Sequence, residues 1–227
     1  MLQSANMATA RCLFRPMAEA DIPQVYTIDH ECFPAESLFR PYSSYTRELH
    51  NSMAHYIVAC VPTERRMRQL EQPWFRHFLP SQHLHGPNIC TQEDLLVGFT
   101  GFWIILDEAH IIAIAVNEPF RRQRIGQGLL LSAIEQASKL HARMVTLEVR
   151  EKNLSAQTMY AKHGFRVVGR RPHYYTDTQE DAILMTLENV HNGNSKERLG
   201  ALRAEAIHNE SLAHPIVIPD DVWESRA

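Results

Sequence analysis

The chain has 227 residues, of which 44% are hydrophobic and 22% are charged, so it is long enough to bury one substantial core. Lysine and arginine number 23 against 26 acidic residues, and this net charge of −3 gives no overall attraction to nucleic acid or to an anionic membrane. No apolar run approaches the ~20 residues that cross a bilayer, and the opening MLQSANMATARCLF lacks the pattern of a signal peptide. We therefore expect a cytoplasmic protein without direct nucleic-acid or membrane partners.

The first half of the chain predicts a helix and two strands separated by an insertion. Asp21 is placed to cap a helix over 22–32, in which an apolar residue recurs every three or four positions. A short β-branched strand follows at 55–61, and a long apolar strand runs over 95–106. Residues 62–94 between them show no sustained periodicity. This pattern predicts an insertion inside a β-hairpin.

The second half predicts two strand–loop–helix units followed by two more strands. Asp107 and Glu108 predict a tight turn into the first of these strands, and the basic stretch EPFRRQRIGQG leads from it into an amphipathic helix. Asn153 and Gly164 are suitable N-cap and C-cap residues for the second helix. The predicted strands, which finish a mixed α/β sheet, are 110–116, 144–149, 165–169 and 182–187.

The basic loop after strand 110–116 is a candidate anion site. Backbone N–H groups and the positive end of the following helix attract a phosphate, and Arg121, Arg122 and Arg124 add positive charge. The same residues are equally typical of a solvated helix start. The residues alone leave both interpretations open.

Two further side chains are candidates for proton transfer. Glu148 lies near the end of the apolar strand MVTLEV, where a carboxylate either faces solvent or sits in a cleft with a raised pKa that suits a proton acceptor. Tyr160 follows twelve residues later and projects from the next helix toward the end of that strand if the connection is short. Its alternative role is that of a core tyrosine.

Three linked blocks carry a family resemblance: IAVNEPFRRQRIGQGLL, TLEVREKNLSAQTMYAKHGF and GRRPHYYTDTQEDAILMTL. They resemble the GCN5-related N-acetyltransferase (GNAT) superfamily, and within it the RimI branch of ribosomal-protein-alanine N-acetyltransferases. The resemblance covers about residues 95–187. It implies a mixed α/β fold with a mostly antiparallel sheet, splayed parallel central strands and flanking helices. It also implies transfer of an acetyl group from acetyl-CoA, without a metal, to the N-terminal alanine of a small-subunit ribosomal protein.

The resemblance assigns roles to individual residues. It makes Glu148 the general base, Tyr160 the general acid and Asn153 an acetyl-CoA contact, and it makes Val116 our candidate for the N–H that faces the thioester oxygen. The expected cofactor-binding residues of the strand and loop are Ile114, Ala115, Val116, Arg122, Gln123, Arg124, Ile125, Gly126 and Gln127. Tyr174 and Tyr175, placed in the connection between the last two strands, resemble the family's aromatic lip over the substrate peptide.

One position departs from the family pattern. Arg124 replaces the first glycine of the loop, whereas Gly126 is kept. We expect acetyl-CoA binding to be retained, because that glycine contributes a backbone N–H group, which arginine also has. Two alternatives stay open: a related acetyltransferase for another peptide or a small amine, and a non-catalytic acetyl-CoA-binding module.

The remaining segments yield expectations about organisation. We expect a loose leader at 1–10, an acetyltransferase domain at 11–190 and a peripheral tail at 191–227 with one helix over 195–207. The insertion at 62–94 is expected to border the cofactor side of the sheet. Its possible metal ligands fit no regular site, so we expect no metal there; they are His77, His83, His85 and Cys90.

Overall fold

A computed structural model describes residues 9–10, 12–37, 40–61, 94–190 and 216–217. The strands are β1 (Thr9–Ala10), β2 (Leu13–Pro16), β3 (Ala54–Val61), β4 (Leu95–Ile105), β5 (Glu108–Val116), β6 (Met144–Arg150), β7 (Arg166–Tyr175), β8 (Glu180–Glu188) and β9 (Ile216–Val217). The helices are α1 (Ile22–Cys32), α2 (Pro34–Ser37), α3 (Tyr42–Leu49), α4 (Ile125–Lys139) and α5 (Leu154–Lys162). Single 3₁₀ turns lie at Glu19–Asp21 and Glu118–Phe120.

Seven strands form one sheet in the order β2-β3-β4-β5-β6-β8-β7. Every neighbouring pair in it is antiparallel except β5 and β6, which are parallel. These two pair only over residues 108–111 and 144–147, so the rest of β5 has no hydrogen-bonded partner on the β6 side. The expected mixed sheet with splayed parallel central strands is confirmed. We call the opening between the unpaired ends of β5 and β6 the gap.

The two faces of the sheet bury separate hydrophobic clusters. One cluster contains the apolar face of α4 together with Tyr160 and Phe165, and the other contains residues of α1 and α3. We call these the α4 face and the α1 face. Leu129, Leu130 and Ile134 of α4 are fully buried, as their helical spacing predicted.

A β-bulge in β5 sets which side chains reach each face. Gly101 pairs with Ala113 and Phe102 with Ile111, so Ile112 has no partner in β4. Such an extra residue inverts the alternation of side chains along a strand. Accordingly Ala109 and Ile111 belong to the α4 face, whereas Ala113 and Ala115 belong to the α1 face. The bulge therefore lies where β5 separates from β6.

Two local predictions need correction. The β4–β5 hairpin turns at Leu106 and Asp107 rather than at Asp107 and Glu108, because Ile105 pairs directly with Glu108. Asp21 immediately precedes α1, but its carboxylate makes no capping bond to that helix. It instead accepts hydrogen bonds from the Arg15 guanidinium at 2.5 and 2.7 Å and from the Ala18 backbone N–H at 2.7 Å.

The last hairpin differs from its prediction in length. β7 extends to Tyr175, six residues beyond the predicted strand end at 169, and β8 begins at Glu180. Tyr174 and Tyr175 are therefore the final residues of a strand and not part of a connection. The long pairing of β7 with β8 stabilises what the polar sequence had suggested was a loop.

The attachment points of the insertion lie where the sequence placed them. Val61 pairs with Leu95 at the same end of the sheet at which Gly98 pairs with Val116, just before the basic loop. Gln24 of α1 fixes this end, because its side chain bonds the carbonyl of Asp94 at 3.2 Å and the N–H of Leu96 at 3.1 Å. Residues 62–93 themselves, with the candidate metal ligands His77, His83, His85 and Cys90, lie outside the described residues.

A short two-stranded sheet joins the expected leader to the expected tail. Thr9 and Ala10, in the expected leader, pair antiparallel with Val217 and Ile216 of the expected tail. The predicted helix at 195–207 lies outside the described residues. Within the described ranges, every helix is too short or too polar to span a bilayer.

Candidate active site

The β5 edge of the gap offers backbone groups. The N–H of Asn117 bonds the Val97 carbonyl at 2.9 Å, so Asn117 and Ala115 direct their backbone groups toward β4. Ile114 and Val116 alternate with them and face the gap. The Val116 carbonyl is already engaged by the Arg121 side chain at 3.1 Å. Of the three predicted strand residues, Ile114 and Val116 thus direct their N–H groups into the gap, whereas the backbone of Ala115 pairs with β4.

The basic loop and the start of α4 form the end of the gap. Arg122 and Arg124 adopt left-handed backbone conformations, with φ of 65° and 60°. Arg124 is the N-cap residue of α4, and its side chain makes no capping hydrogen bond. The first-turn N–H groups, which lack partners within any helix, belong to Ile125, Gly126 and Gln127. Gln123 lies in the same loop and bonds the Pro119 carbonyl at 3.4 Å.

Gly126 lies in the first turn of this helix, where a Cβ would fit without a clash. A Cβ built on it would lie 3.7 Å from Val116 Cγ2 and 3.9 Å from Met159 Sδ, which are ordinary contacts. The fold itself therefore does not require glycine here. The first-turn N–H groups of α4, a glycine among them and the strand N–H groups that face the gap together fit an extended ligand that carries phosphates.

Glu148 lies on the α1 face at the mouth of the gap. Its neighbours Leu147 and Val149 pack into the α4 face, so the carboxylate projects to the opposite side of β6. Its side chain is only 7% exposed. One oxygen, Oε2, lies 2.8 Å from His110 Nε2, and the other, Oε1, lies 3.0 Å from an Arg171 terminal nitrogen. Each oxygen of the carboxylate thus has a basic side chain as its partner.

This environment corrects the expected titration of Glu148. Burial favours the neutral carboxyl, but the hydrogen bond from His110 and the charges of His110 and Arg171 outweigh burial and hold the pKa of Glu148 below its usual range. Neither sequence alternative describes Glu148 fully, because its side chain is shielded from solvent and yet its pKa is lowered, not raised. Glu148 is therefore ionised at neutral pH and is a weaker base than the sequence suggested.

His110 extends the polar network behind Glu148. Its Nδ1 lies 3.1 Å from Thr146 Oγ1, and the Thr146 hydroxyl donates to Glu108 Oε1 at 2.5 Å. The hydrogen bond to Glu148 is the main cause that raises the pKa of His110 above its ordinary value. The residues Glu108, Thr146, His110 and Glu148 form a continuous chain, which we call the acidic relay.

Tyr160 lies on the other side of the sheet. It is buried in the α4 face, where its ring packs against Phe165 with centroids 5.8 Å apart. Burial raises the pKa of Tyr160 to about 12, so its hydroxyl keeps its proton at neutral pH. Glu148 and Tyr160 therefore flank the gap from opposite faces. The side chain of Asn153, at the start of the same helix, caps α5 by accepting the Ala156 N–H at 3.1 Å, which confirms the predicted N-cap.

Arg150 joins the elements around the α1 side of the site. Its guanidinium bonds Glu36 of α2 at 2.6 Å and Asp177 of the β7–β8 turn at 3.0 Å. It also lies 4.0 Å from the centre of the Tyr175 ring. Tyr174 is 44% exposed, and its ring contacts Arg171 at 5.5 Å. Tyr175 thus packs on Arg150, and Tyr174 packs on Arg171, the arginine that bonds Glu148.

Sequence reasoning missed the groups that hold Glu148 and Tyr175. At Glu148 they are His110, with Thr146 behind it, and Arg171; at Tyr175 the group is Arg150, with Glu36 behind it. Each lies far along the chain from the residue that it contacts. Among the described residues, no group of three or more His, Cys, Asp or Glu side chains is arranged to hold a metal ion.

The fold and the gap define an acyl-CoA-dependent transferase, and comparison with known proteins gives the family. The model of the acetyltransferase (GNAT) family matches residues 22–165. The chain therefore belongs to the GNAT family and is an acetyltransferase that uses acetyl-CoA.

The names of two relatives found by sequence specify the acceptor more closely than the family does. A protein of Escherichia coli strain K12 named [ribosomal protein bS18]-alanine N-acetyltransferase is 37% identical over 99 residues, covering 43% of this chain and 67% of that protein. An N-alpha-acetyltransferase of Sulfolobus acidocaldarius is 42% identical over 82 residues, covering 36% of this chain and 48% of its own.

Solved structures share the fold. The ribosomal-protein-S18-alanine N-acetyltransferase of Escherichia coli superposes with a TM-score of 0.57 at 22% identity, covering 80% of this chain and 96% of that chain. Arabidopsis thaliana NAA60 in complex with acetyl-CoA superposes with a TM-score of 0.56 at 18% identity, covering 78% of this chain and 98% of that chain.

Proposed function

We propose that this acetyltransferase modifies the N-terminal α-amino group of a protein, with alanine as the first residue and a small-subunit ribosomal protein as the substrate. The observation that carries the proposal is the position of Glu148, buried at the mouth of the gap on the α1 face and opposite Tyr160. The names of relatives at 37% identity support the choice of acceptor. Such a substrate also places the protein in the cytoplasm.

Acetyl-CoA supplies the acetyl group as a thioester. Along the gap, the N–H groups of Ile114 and Val116 would hold its pantetheine arm and polarise the thioester carbonyl. At the start of α4, the N–H groups of Ile125, Gly126 and Gln127 and the positive charge of Arg122 and Arg124 would hold its phosphates. Gln123 borders this loop, and the Asn153 amide contacts the arm from the start of α5.

Glu148 lies next to the acceptor amine and accepts its proton. An α-amine has a pKa near ~8, against ~10.4 for lysine, so an N-terminus loses its proton far more readily at neutral pH. A site without a strong base therefore favours an N-terminal amine over a lysine side chain. This agrees with the direction in which His110 and Arg171 shift the pKa of Glu148.

Tyr160 serves the departing thiolate from the other face. With a pKa of about 12, its phenol is a weaker acid than an ordinary thiol of pKa ~8.5, and complete proton transfer to the thiolate would cost about 5 kcal/mol. The Tyr160 hydroxyl therefore acts chiefly as a hydrogen-bond donor to the sulfur as negative charge develops. Its burial keeps this donor neutral and oriented.

Tyr174 and Tyr175 border the path of the acceptor peptide. Arg150 fixes this entrance, because it ties Glu36 of α2 to Asp177 of the β7–β8 turn across it. These tied elements lie next to Tyr175, so we place the chain end of the acceptor beside them.

A panel of acceptors with radiolabelled acetyl-CoA tests the proposal. We expect peptides that start with alanine to react faster than those that start with a charged residue, and an N-terminally blocked peptide with an internal lysine to react poorly. Equal rates on terminal alanine and internal lysine would contradict the choice of acceptor. A small amine as the best acceptor would do the same, and binding of acetyl-CoA without transfer to any amine would contradict the enzymatic role.

A further inference from the structure

Three exposed apolar residues lie together at the end of the β4–β5 hairpin. Trp103 is 37% exposed, Ile105 is 50% exposed and Leu106, in the turn, is 96% exposed. Leu106 also adopts a φ of 58°, a left-handed conformation that bulky residues rarely adopt. A turn that only connects two strands favours glycine or asparagine at such a position. We call these three residues the hairpin strip.

The hairpin strip borders the face of the sheet that carries Glu148. Phe102 belongs to the cluster of the α4 face, and Ile104 packs against that cluster. The strand residues that alternate with them, Trp103 and Ile105, therefore project to the α1 face. The Glu148 carboxylate projects to the same side of the sheet, so the strip and the carboxylate share one surface.

Cross-strand pairing leads from the strip to Glu148. Trp103 pairs with His110 across β4 and β5, and His110 pairs with Thr146 across β5 and β6. Glu148 lies two residues beyond Thr146 on β6. With strands about 4.8 Å apart and a rise of about 3.3 Å per residue, the backbones of Trp103 and Glu148 are roughly 12 Å apart. An extended chain covers that distance in about four residues.

The floor between these two points is polar. On the α1 face, the hydrophobic cluster takes in residues of β3, β4 and β5 and, within the described ranges, none of β6 or β8. β6 instead contributes Thr146 and Glu148 to this floor, and β5 contributes the partly exposed side chains of His110 and Glu108. A polar floor with an apolar edge suits a peptide, because its backbone needs hydrogen-bond partners while its side chains can be apolar.

We propose that the hairpin strip is a second recognition site for the acceptor, which binds an apolar or aromatic side chain about four residues from the acetylated terminus. This rests on the proposed function, because it takes the chain end of the acceptor to lie beside Glu148 and Tyr175. From there the chain follows the α1 face over His110 to Trp103. The indole N–H of Trp103 donates to Glu48 of α3 at 2.7 Å, which fixes the ring as a contact surface.

Charge favours the acceptor over a second copy of this chain as the occupant. Glu48 bonds Trp103, and Glu108 pairs with Ile105, so carboxylates border the strip. Two copies joined strip to strip would bring these carboxylates together, and juxtaposed like charges weaken an interface. The terminal segment of a protein that binds RNA phosphates is rich in basic residues and carries the complementary charge.

The test varies the fourth residue of the acceptor. Peptide amides of six residues begin with alanine and otherwise contain serine, with phenylalanine at residue 4, at residue 2 or at neither. For the natural protein, phenylalanine at residue 4 should raise kcat/KM about tenfold over the serine peptide, and phenylalanine at residue 2 should raise it less. The KM for acetyl-CoA should be the same with all three peptides.

Three variants locate this gain on the protein. Trp103→Ala, Ile105→Thr and Leu106→Asn should each reduce the gain from phenylalanine and leave kcat/KM for the serine peptide unchanged. Asparagine adopts the left-handed conformation more readily than leucine, so Leu106→Asn should not destabilise the fold. Val167→Thr is the matched control for Ile105→Thr, because Val167 is an exposed strand residue on β7, at the other side of the sheet. It should retain the full gain.

Equal kcat/KM for the serine peptide and the peptide with phenylalanine at residue 4 would overturn the inference, as would a larger gain at residue 2 or a gain that survives in all three variants. A dimer of the natural protein that Trp103→Ala dissociates in sedimentation would assign the strip to a second copy and would also overturn it. The proposed function is tested separately, by changing the first residue while residue 4 stays phenylalanine. Loss of the preference for alanine with the gain at residue 4 intact would contradict the proposed function alone.

Discussion

The two sides of the gap are built in different ways. On the cofactor side, β5, the basic loop and α4 are consecutive in the chain and offer mostly backbone N–H groups. On the acceptor side, Glu148 of β6 is held by His110 of β5 and Arg171 of β7, and Arg150 ties β6 to α2 and to the β7–β8 turn. One side depends on local backbone geometry, and the other on side chains brought together from distant segments.

This difference predicts how each side responds to substitution. A backbone site tolerates many side chains but is sensitive to an added Cβ or to an altered φ, whereas an ion-paired site is sensitive to loss of any charged partner. Changes on the acceptor side should therefore affect the chemical step. Changes on the cofactor side should affect binding or folding.

The largest effect should come from Glu148→Gln. The amide cannot accept the amine proton, and it leaves His110 and Arg171 without their shared negative charge, so we expect kcat to fall 10²-fold or more with acetyl-CoA binding nearly intact. Steady-state transfer assays and calorimetric titration measure the two quantities. Glu151→Gln, at an exposed residue paired with Arg170, is the control and should retain activity. Normal turnover of Glu148→Gln would show that another group takes the proton.

Tyr160→Phe should lower turnover by about 10²-fold by removing the donor to the thiolate. Because the phenol is buried among apolar side chains, phenylalanine fills the same space and folding should be preserved. Turnover is measured beside Tyr42→Phe, which removes an exposed hydroxyl on α3. If Tyr160→Phe reacted as fast as the natural protein, Tyr160 would be a core residue only.

Gly126→Ala separates cofactor binding from folding. The added Cβ meets no atom closer than 3.7 Å, so we expect unchanged or slightly higher stability, but it occupies space in front of the helix start and should weaken acetyl-CoA binding about tenfold. Gly98→Ala is the contrasting variant. Its Cβ would lie 2.6 Å from the Ala115 carbonyl oxygen, so it should destabilise the fold by roughly 1–3 kcal/mol. Unchanged affinity in Gly126→Ala would move the phosphates away from this position.

Arg124→Gly should stabilise the protein by about 1 kcal/mol, because the residue at this position adopts φ of 60°, which glycine adopts without strain. Chemical denaturation measures the change. Arg124→Ala keeps the strain and removes the charge, so it is the matched variant for binding. If Arg124 contacts a phosphate, both variants should bind acetyl-CoA more weakly, and the loss should shrink in high salt. Tighter binding by both would contradict that contact.

The smallest expected effect is on the pH dependence of the free energy of unfolding. The folded-state pKa of His110 is raised, so its stabilising contribution is complete below about 6.5 and is lost as pH rises through the higher folded value. The pKa of Glu148 is lowered, so its own contribution is complete above about 4.5 and is lost as pH falls through the lower folded value. The free energy of unfolding should therefore differ more between the natural protein and His110→Gln at pH 6 than at pH 9. A difference that grew toward pH 9 would contradict this sign.

Much of the fold follows from patterns of short range. The apolar spacing of α1 and α4, the Asn153 cap and the Gly164 stop of α5 were predictable, because helix periodicity and capping depend on residues within a few positions of each other. The polar strand β7 was predicted too short, because its residues 170–175 become a strand only through pairing with β8. The Asp21 cap failed for a similar reason, since Arg15 on β2 competes for the carboxylate.

The sequence by itself determined the family, the cofactor loop and the candidates Glu148 and Tyr160, because each depends on residue type and local spacing. Only the tertiary structure decided the charge state of Glu148. That state depends on the register of β5 against β6, which pairs His110 with Thr146 and so sets it beside Glu148, and on the length of β7, which brings Arg171 to the other carboxylate oxygen. A pKa responds to charges a few ångströms away, whatever their separation along the chain. The chemistry of the base was therefore decided by the packing of the strands.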